Sequence, residues 1–209
     1  MNRNQELSLK QIDEGRKKAL DNACDLFKDA KILLENERYA RALFLSQIAT
    51  EELGKYIMLI STAVKVVYEE VEREWKEFWT GYKAHKIKSG KVLIIEDFFL
   101  SDKKFSECFD DSFKQREIYE IAKMSSLYSD FHEDRFCSPM ELIDEKTANL
   151  AVNVTEKRVK WIKSYDEKII REDGLLKLRK ETVEEFYEKL GIKELFDLKN
   201  KGKSARRTG

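Results

Sequence analysis

The residues best suited to chemistry lie in the run 49–55, which reads ATEELGK and falls near the middle of a predicted helix. At 100° per residue around that helix, Glu52 falls in the middle of an apolar stripe. The other members of the stripe are Ala42, Leu45, Ile48, Ala49, Leu53, Tyr56 and Leu59. A carboxylate in such surroundings loses much of its hydration free energy unless a cation or a donor compensates. We therefore expect Glu52 either to pair with a cation inside the bundle or to line a polar cavity.

The opposite side of the same helix carries small residues, namely Ser46, Thr50, Gly54 and Ser61. A glycine inside a helix costs about 1 kcal/mol relative to alanine, so we expect another helix or a ligand to approach Gly54 closely. Glu51 and Lys55 lie on the flank, and their i,i+4 spacing allows an ordinary ion pair. A structural alternative for Glu52 is a buried ion pair that keeps the bundle in register.

His85 is the second candidate for acid–base chemistry. It lies at the edge of an aromatic stripe, where a half-buried imidazole can titrate near neutral pH. The stripe consists of Trp75, Phe78, Trp79 and Tyr82. The alternative is a solvated helix end, with Lys86 and Lys88 as ordinary cations of a helix C-terminus. Farther along the chain, Tyr128 is predicted to lie in the core, and Asp130 either caps a helix or binds a ligand.

The sequence lacks several patterns that other catalytic and binding sites require. Tyr82 and Ser129 stand three residues before His85 and His132, so there is no Glu-x-x-His pair for a di-metal centre. No GxxxxGK followed by Ser or Thr, no GxGxxG and no GxSxG occurs, which argues against a P-loop, a Rossmann site and a hydrolase nucleophile elbow. With only two histidines in the chain, we expect no metal site and no cofactor.

The elements that must position these residues are predicted to be helices. The 209 residues include one proline and eight glycines, and 38% are charged, which is typical of long amphipathic helices. The predicted helices cover residues 8–35, 38–72, 72–88, 113–129, 140 or 144 to 171, and 181–190. A short break at 36–37 makes the first two an antiparallel hairpin. Ser89-Gly90 is predicted to end the third helix, and 131–139 to form a loop.

These elements predict an all-α protein, an antiparallel helical bundle with one irregular or short-strand insertion near residues 91–100. The apolar residues of that insertion fit a short strand or a buried loop equally well. We expect a single domain over residues 8–198 and a basic, disordered tail over 199–209. The tail holds five cations and no acid.

Charge and cysteine content limit the location and the partners of the chain. Forty basic and forty acidic residues give a net charge of zero, which argues against a dedicated binder of double-stranded DNA. The most apolar stretch, residues 56–68, is shorter than the roughly 20 residues that span a bilayer, and no secretory signal is visible. Three cysteines without close spacing suit a reducing compartment. We therefore expect a cytoplasmic protein that does not enter a membrane.

Three motifs in order make the sequence similar to the AbiV family of abortive-infection proteins, a branch of the HEPN superfamily. The leading motif is the hairpin 30–55, with Ala49-x-Glu51-Glu52-Leu53-Gly54-Lys55 at its core. The second resembles the family's aromatic helix ending in His85-x-x-Lys88. The third is similar to its Ser-Leu-Tyr-x-Asp segment, at residues 126–130. The resemblance spans roughly residues 16–170.

The resemblance implies a helical bundle that acts in the cytoplasm in defence against phage. HEPN proteins are commonly metal-independent ribonucleases that dimerise to build the active site, and their motif is Arg, four to six residues, then His. Neither histidine here has an arginine at that spacing. A substitute set is His85 as acid or base, Glu52 as its partner, and Lys55, Lys88 and Arg116 as phosphate contacts. Glu51, Tyr128 and Asp130 complete the predicted substrate-binding residues.

Two functions therefore stay open, and the sequence does not decide whether the protein is an enzyme. The first is an abortive-infection effector that damages or sequesters RNA or the translation apparatus. The second is a non-enzymatic helical homodimer that binds a phage protein or a nucleotide. A helical scaffold without a ligand site is a third interpretation. A cleft in which Glu52, Lys55 and His85 converge would favour the first two.

Overall fold

The computed structural model describes residues 5–67, 75–100, 105–167 and 174–179, together with residues 181, 183 and 185. In chain order its elements are α1 (Leu9–Glu35), α2 (Tyr39–Val67), α3 (Trp75–Lys83), α4 (His85–Leu100), α5 (Phe105–Leu127), β1 (Asp130–His132), β2 (Arg135–Cys137), α6 (Pro139–Leu142), α7 (Glu145–Tyr165) and a 3-10 turn (Gly174–Lys177). The predicted all-α helical bundle is confirmed, with one two-stranded antiparallel hairpin in the described part of the chain.

The first two helices form the predicted antiparallel hairpin. Ser8 caps α1 through a reciprocal pair of hydrogen bonds: the Gln11 N–H donates to Ser8 Oγ at 3.3 Å, and the Ser8 N–H donates to Gln11 Oε1 at 2.9 Å. At the other end, the Asn36 N–H donates to the Ile32 carbonyl and Glu37 adopts a φ of 57°. The chain therefore reverses within three residues and lays α2 against α1.

Helix α2 lies at the centre of the bundle and contacts α1, α4, α5 and α7. The main core cluster comes from four of these helices, and consists of Ala19, Leu20, Ala23, Leu53, Tyr56, Ile57, Val92, Val159 and Ile162. Because α2 is surrounded, its two adjacent glutamates and the small residues Ser46, Thr50 and Gly54 are buried, whereas Ser61 is exposed. The candidate site therefore lies between packed helices.

The prediction for residues 91–100 was wrong, because they form the second half of α4. Val92, Leu93 and Ile94 are buried, and a short apolar run of this kind does not by itself distinguish a strand from a buried helix. Gly90 lies inside α4, where a Cβ would fall 2.4 Å from Arg116 Cδ. It is therefore a close-packing position within the helix.

The predicted third helix is divided in two at Ala84, whose N–H donates to the Gly81 carbonyl at 3.0 Å. This break places His85 at the first position of α4, so the imidazole belongs to the start of a helix and not to the end of the aromatic one.

The remaining elements follow the predicted order with shifted limits. Helix α5 begins at Phe105, earlier than predicted, and the predicted loop contains the β1–β2 hairpin, with Phe131 opposite Phe136. Asp144 caps α7 by accepting from the Thr147 N–H at 2.8 Å. The tail 199–209 and most of the predicted helix 181–190 lie outside the described residues. Among the described residues, no helix combines the length and the apolarity needed to cross a bilayer.

Candidate functional site

The close approach expected at Gly54 is made by α4. A Cβ on Gly54 would lie 2.1 Å from the main-chain oxygen of Lys88, so the two helices meet backbone to backbone at this point. Contact this close is open to glycine alone. It brings the first turn of α4, which carries His85 and Lys88, onto the face of α2 one turn before Gly54, where Glu51 lies.

Glu51 is the centre of an ionic cluster. Its Oε2 lies 2.5 Å from His85 Nδ1 and 3.2 Å from Lys88 Nζ, and its Oε1 accepts from Lys123 Nζ at 2.9 Å. Lys123 also bonds Glu120 Oε2 at 2.8 Å. Helices α2, α4 and α5 thus contribute one set of five groups, which we call the Glu51 cluster: Glu51, His85, Lys88, Glu120 and Lys123.

Glu51, Lys88 and Lys123 are buried, Glu120 is partly exposed, and the imidazole of His85 is open to solvent. Glu51 is 4% exposed and Lys88 5% exposed, whereas the His85 side chain is 59% exposed. A molecule approaching from solvent therefore meets the ring of His85 while the carboxylate behind it stays enclosed.

Electrostatics keep Glu51 ionised. Burial raises the pKa of its carboxyl, but hydrogen bonds from Lys123 and His85 and the charge of Lys88 outweigh burial and bring that pKa below its usual range. For Lys123, burial lowers the pKa, and the bonds to Glu120 and Glu51 raise it above its usual range.

Because an ionised carboxylate can only accept hydrogen bonds, Nδ1 of His85 must be protonated and donate a hydrogen bond to Glu51. In the neutral imidazole Nε2 then holds the lone pair, and in the protonated ring it is a donor. This arrangement is suited to general acid–base catalysis, as a carboxylate-oriented histidine is in hydrolases.

Glu52 is buried, at 9% exposed, and pairs with a cation as predicted. The cation is Lys55 of the same helix, whose Nζ also lies 5.7 Å from the centre of the Tyr82 ring. Two pairings were wrong, because His85 bonds Glu51 instead of Glu52, and Lys55 bonds Glu52 instead of Glu51. The signal that could have corrected them is Gly54, which marks the Glu51 face as the one that another helix approaches.

The other predicted binding residues lie on and beside α5. The Arg116 side chain packs over Gly90. The prediction that Tyr128 lies in the core was wrong, because it is 55% exposed. Asp130 is exposed and accepts from the Phe131 N–H at 2.8 Å through Oδ1. Tyr128 and Asp130 line an open groove of about 310 Å³.

We call this feature the α5 groove, and its lining residues are Glu117, Glu120, Ile121, Met124, Ser125, Tyr128, Asp130 and His132. Two ion pairs join it to the surroundings of His85. Glu120 belongs to the Glu51 cluster through Lys123, and Glu117 bonds the Nζ of Lys86 at 2.8 and 2.9 Å. Sequence reasoning missed Glu117, Glu120 and Lys123, although their three-residue spacing places them along one side of α5.

A buried arginine ties the helices around the cluster together. Arg158 of α7, 4% exposed, donates to Glu96 Oε2 through Nε at 2.9 Å and through Nη2 at 2.6 Å. Its Nη1 donates to the hydroxyl of Tyr119. One guanidinium thus links α7 to both α4 and α5, which hold four of the five members of the Glu51 cluster.

A second ionic cluster contacts α2 at Tyr56, about one turn after Glu51, and we call it the Arg16 cluster. Arg16, 1% exposed, donates to Asp13 Oδ1 at 2.8 Å and also bonds Asp166. Tyr56 donates to Asp166 at 2.8 Å, and the Leu175 N–H donates to Asp13 at 3.0 Å. These bonds hold the start of α1, the end of α7 and the 3-10 turn together.

Within the described ranges, no three His, Cys, Asp or Glu side chains converge as a metal-binding group. Comparison with protein families shows that residues 11–160 fit the model of the AbiV branch of the HEPN proteins. Searches of curated proteins and of solved structures found no match.

Proposed function

The chain belongs to the AbiV family of HEPN proteins, and from that premise we propose that it is a cytoplasmic abortive-infection effector that cleaves RNA without a metal ion. The family name links the chain to abortive infection, a form of defence. RNA cleavage by the protein's own side chains is the finer part of the proposal, and the geometry of the Glu51 cluster supports it.

The observation that supports this proposal best is the contact between His85 Nδ1 and Glu51 Oε2 at 2.5 Å, with the ring open to solvent. A buried anion fixes the imidazole in one orientation and leaves Nε2 for a reactant. In this proposal Glu51 is the carboxylate partner of His85, in place of Glu52, which the sequence predicted for that role.

RNA suits such a site because it carries its own nucleophile, the ribose 2′-hydroxyl. We propose that Nε2 of His85 takes the 2′-hydroxyl proton while the 2′ oxygen attacks phosphorus. The P–O5′ bond breaks, and the leaving oxygen takes a proton from water. We assign Lys55, whose side chain is 22% exposed, the role of stabilising the charge on the phosphorane. The products are a cyclic 2′,3′-phosphate and a 5′-hydroxyl.

The test is to incubate purified protein with end-labelled total RNA, with and without EDTA. We expect cleavage that EDTA does not reduce, with cyclic phosphate at the new ends. His85→Ala and Glu51→Gln should abolish most of it. The matched control is Glu156→Gln, which removes a partly exposed carboxylate paired with Lys160 on α7 and should cleave normally. Full activity of His85→Ala would refute the proposed role of the imidazole.

A second candidate function is a non-enzymatic homodimer that binds a phage protein or a nucleotide. The observation that favours it is the exposed apolar surface of α5 and the β hairpin, where Ile118, Ile121, Phe131 and Phe136 are 55–78% exposed. Surfaces of this kind often bind other proteins. Three results together would support this function over the first. Cells that express the protein are protected from phage, the purified protein leaves RNA intact, and its mass by light scattering is that of a dimer.

A further inference from the structure

We infer that the α5 groove is a subsite for a single nucleobase of the RNA strand and that it prefers guanine. This inference rests on the proposed function, because it assigns a recognition site to the same substrate. It adds a base preference that neither the family membership nor the His85–Glu51 contact implies.

The size and the apolar lining of the groove suit a base. Its volume of about 310 Å³ is at the lower end of the range of small-ligand pockets, roughly 300–1,000 Å³. Tyr128 is 55% exposed and Met124 46% exposed at the groove, so a ring and a thioether are available to an unstacked base. Proteins that bind single-stranded RNA use exposed aromatic rings in this way.

The polar lining supplies acceptors. Three carboxylates line the groove, those of Glu117, Glu120 and Asp130, and an ionised carboxylate accepts two parallel hydrogen bonds. The Watson–Crick edge of guanine presents two adjacent donors, N1–H and N2–H. The other bases present a single donor beside acceptors. We assign the contact to Asp130, because it follows Tyr128 closely in sequence and its Oδ1 is anchored by the Phe131 N–H.

The groove is also close to the proposed chemistry. Glu120 on its wall bonds Lys123, Lys123 bonds Glu51, and Glu51 bonds His85, with separations of 2.8, 2.9 and 2.5 Å. Glu117 on the same wall bonds Lys86, the residue after His85. A base held in the groove therefore belongs to a nucleotide near the one whose phosphate reaches the imidazole.

The experiment measures binding of short fluorescent RNAs by anisotropy, with 2′-O-methyl ribose throughout so that no cleavage occurs. The oligonucleotides differ at one position, which holds guanine, hypoxanthine, adenine or uracil. We expect guanine to bind on the order of tenfold more tightly than hypoxanthine, which lacks the N2 amino group. Asp130→Asn should remove this preference, because an amide replaces one acceptor with a donor.

Variants of Tyr128 separate stacking from hydrogen bonding. Tyr128→Leu should weaken binding of every RNA on the order of tenfold, and Tyr128→Phe should bind like the wild type. The control is Leu150→Ala, since this side chain on α7 is 65% exposed and lies outside the groove lining. It should leave both affinity and base preference unchanged.

The outcomes separate this inference from the proposed function. RNA cleavage by the wild type without any base preference would overturn the subsite and leave the function standing. The subsite would also be overturned if Tyr128→Leu bound RNA with the affinity of the wild type. The same holds if Tyr128→Leu changed the protein from dimer to monomer and left its affinity for RNA unaffected. A wild type that neither cleaves nor binds RNA would overturn both.

Discussion

The Glu51 cluster and the Arg16 cluster are built from the same kinds of groups, but they differ in what solvent can reach. In the Arg16 cluster, the guanidinium is 1% exposed and donates to the carboxylates of Asp13 and Asp166, which also accept from the Leu175 N–H and the Tyr56 hydroxyl. In the Glu51 cluster, the buried carboxylate of Glu51 is hydrogen-bonded to the imidazole of His85, whose side chain is 59% exposed. The first arrangement joins elements, whereas the second leaves a titratable nitrogen available to a reactant.

Burying charged groups costs free energy in both the Arg16 cluster and the Glu51 cluster. The difference in exposure therefore does not by itself explain why each cluster contains buried charges. In the Arg16 cluster the same bonds that satisfy the charges also join α1, α7 and the 3-10 turn. In the Glu51 cluster two lysines already compensate the carboxylate, and the histidine is additional. The comparison indicates that His85 is the member whose removal costs little stability.

The largest effect that would separate the two regions is on activity. We expect His85→Ala to lower the rate of RNA cleavage by about 10²–10⁴-fold, the usual contribution of a general acid or base. Its free energy of unfolding, measured with urea, should stay close to the wild-type value because the side chain is mostly exposed. Stability that falls together with the rate would show that the imidazole has a structural role like that of Arg16.

The converse change is Arg16→Met. Removing one partner of a buried ion pair leaves the other charge without compensation, so the free energy of unfolding should fall by about 3–5 kcal/mol. Cleavage by the protein that remains folded should be normal. Lys28→Met is the control, because its pair with Asp25 is exposed on both sides, and its melting temperature should not change.

An intermediate effect is expected from Gly54→Ala. The added methyl would lie 2.1 Å from the Lys88 oxygen, so α4 must move away from α2. We expect a loss of about 1–3 kcal/mol in the free energy of unfolding, typical of overpacking, together with a large loss of cleavage as His85 leaves Glu51. Gly15→Ala, whose added methyl would meet a flexible Leu59 side chain at 3.3 Å, is the matched control and should retain activity.

The smallest effect is on the pH dependence of stability. The pKa of Glu51 in the folded protein lies below its ordinary value of 4.5, so its ionisation stabilises the fold above that pH. This contribution is lost as the pH falls from 4.5 through the lower folded-state pKa. Urea unfolding between pH 7 and pH 3 should show a smaller decrease in the free energy of unfolding for Glu51→Gln than for the wild type.

Asp13 gives the corresponding test in the Arg16 cluster. Burial raises the pKa of Asp13, but the hydrogen bonds from Lys17 and from the Leu175 N–H, together with the Arg16 charge, bring it below its ordinary value of 3.8. Its contribution should therefore begin to be lost only below about pH 3.8, whereas that of Glu51 begins to be lost below about pH 4.5. Identical profiles for Asp13→Asn and Glu51→Gln would contradict this difference.

The sequence was sufficient for the helices whose signals are local. The break at residues 36–37 and the apolar periodicity of α1 and α2 predicted the hairpin because each signal acts over a few neighbouring residues. Residues 91–100 were predicted incorrectly because a short buried helix and a buried strand are equally apolar.

The site could be predicted only in part. The sequence indicated the two segments that the structure brings together, 49–55 and 85–88, and the burial of Glu52. The choice between Glu51 and Glu52 as partner of His85 depends on the rotation of α2 against α4, which the Gly54 contact sets. The sequence predicted Tyr128 in the core because an aromatic residue in a predicted helix counts as apolar. Its exposure depends on which face of α5 the bundle covers.

The main-chain contact between Gly54 and Lys88 also gives a rule for related sequences. Glu51 precedes Gly54 by three residues and His85 precedes Lys88 by three, so the two motifs are matched turn for turn. In a relative that carries a larger residue in place of this glycine, the two helices would lie farther apart. The histidine at the start of the facing helix would then not reach the glutamate. We therefore expect the Glu-x-x-Gly and His-x-x-Lys motifs to be inherited as a unit and lost as a unit.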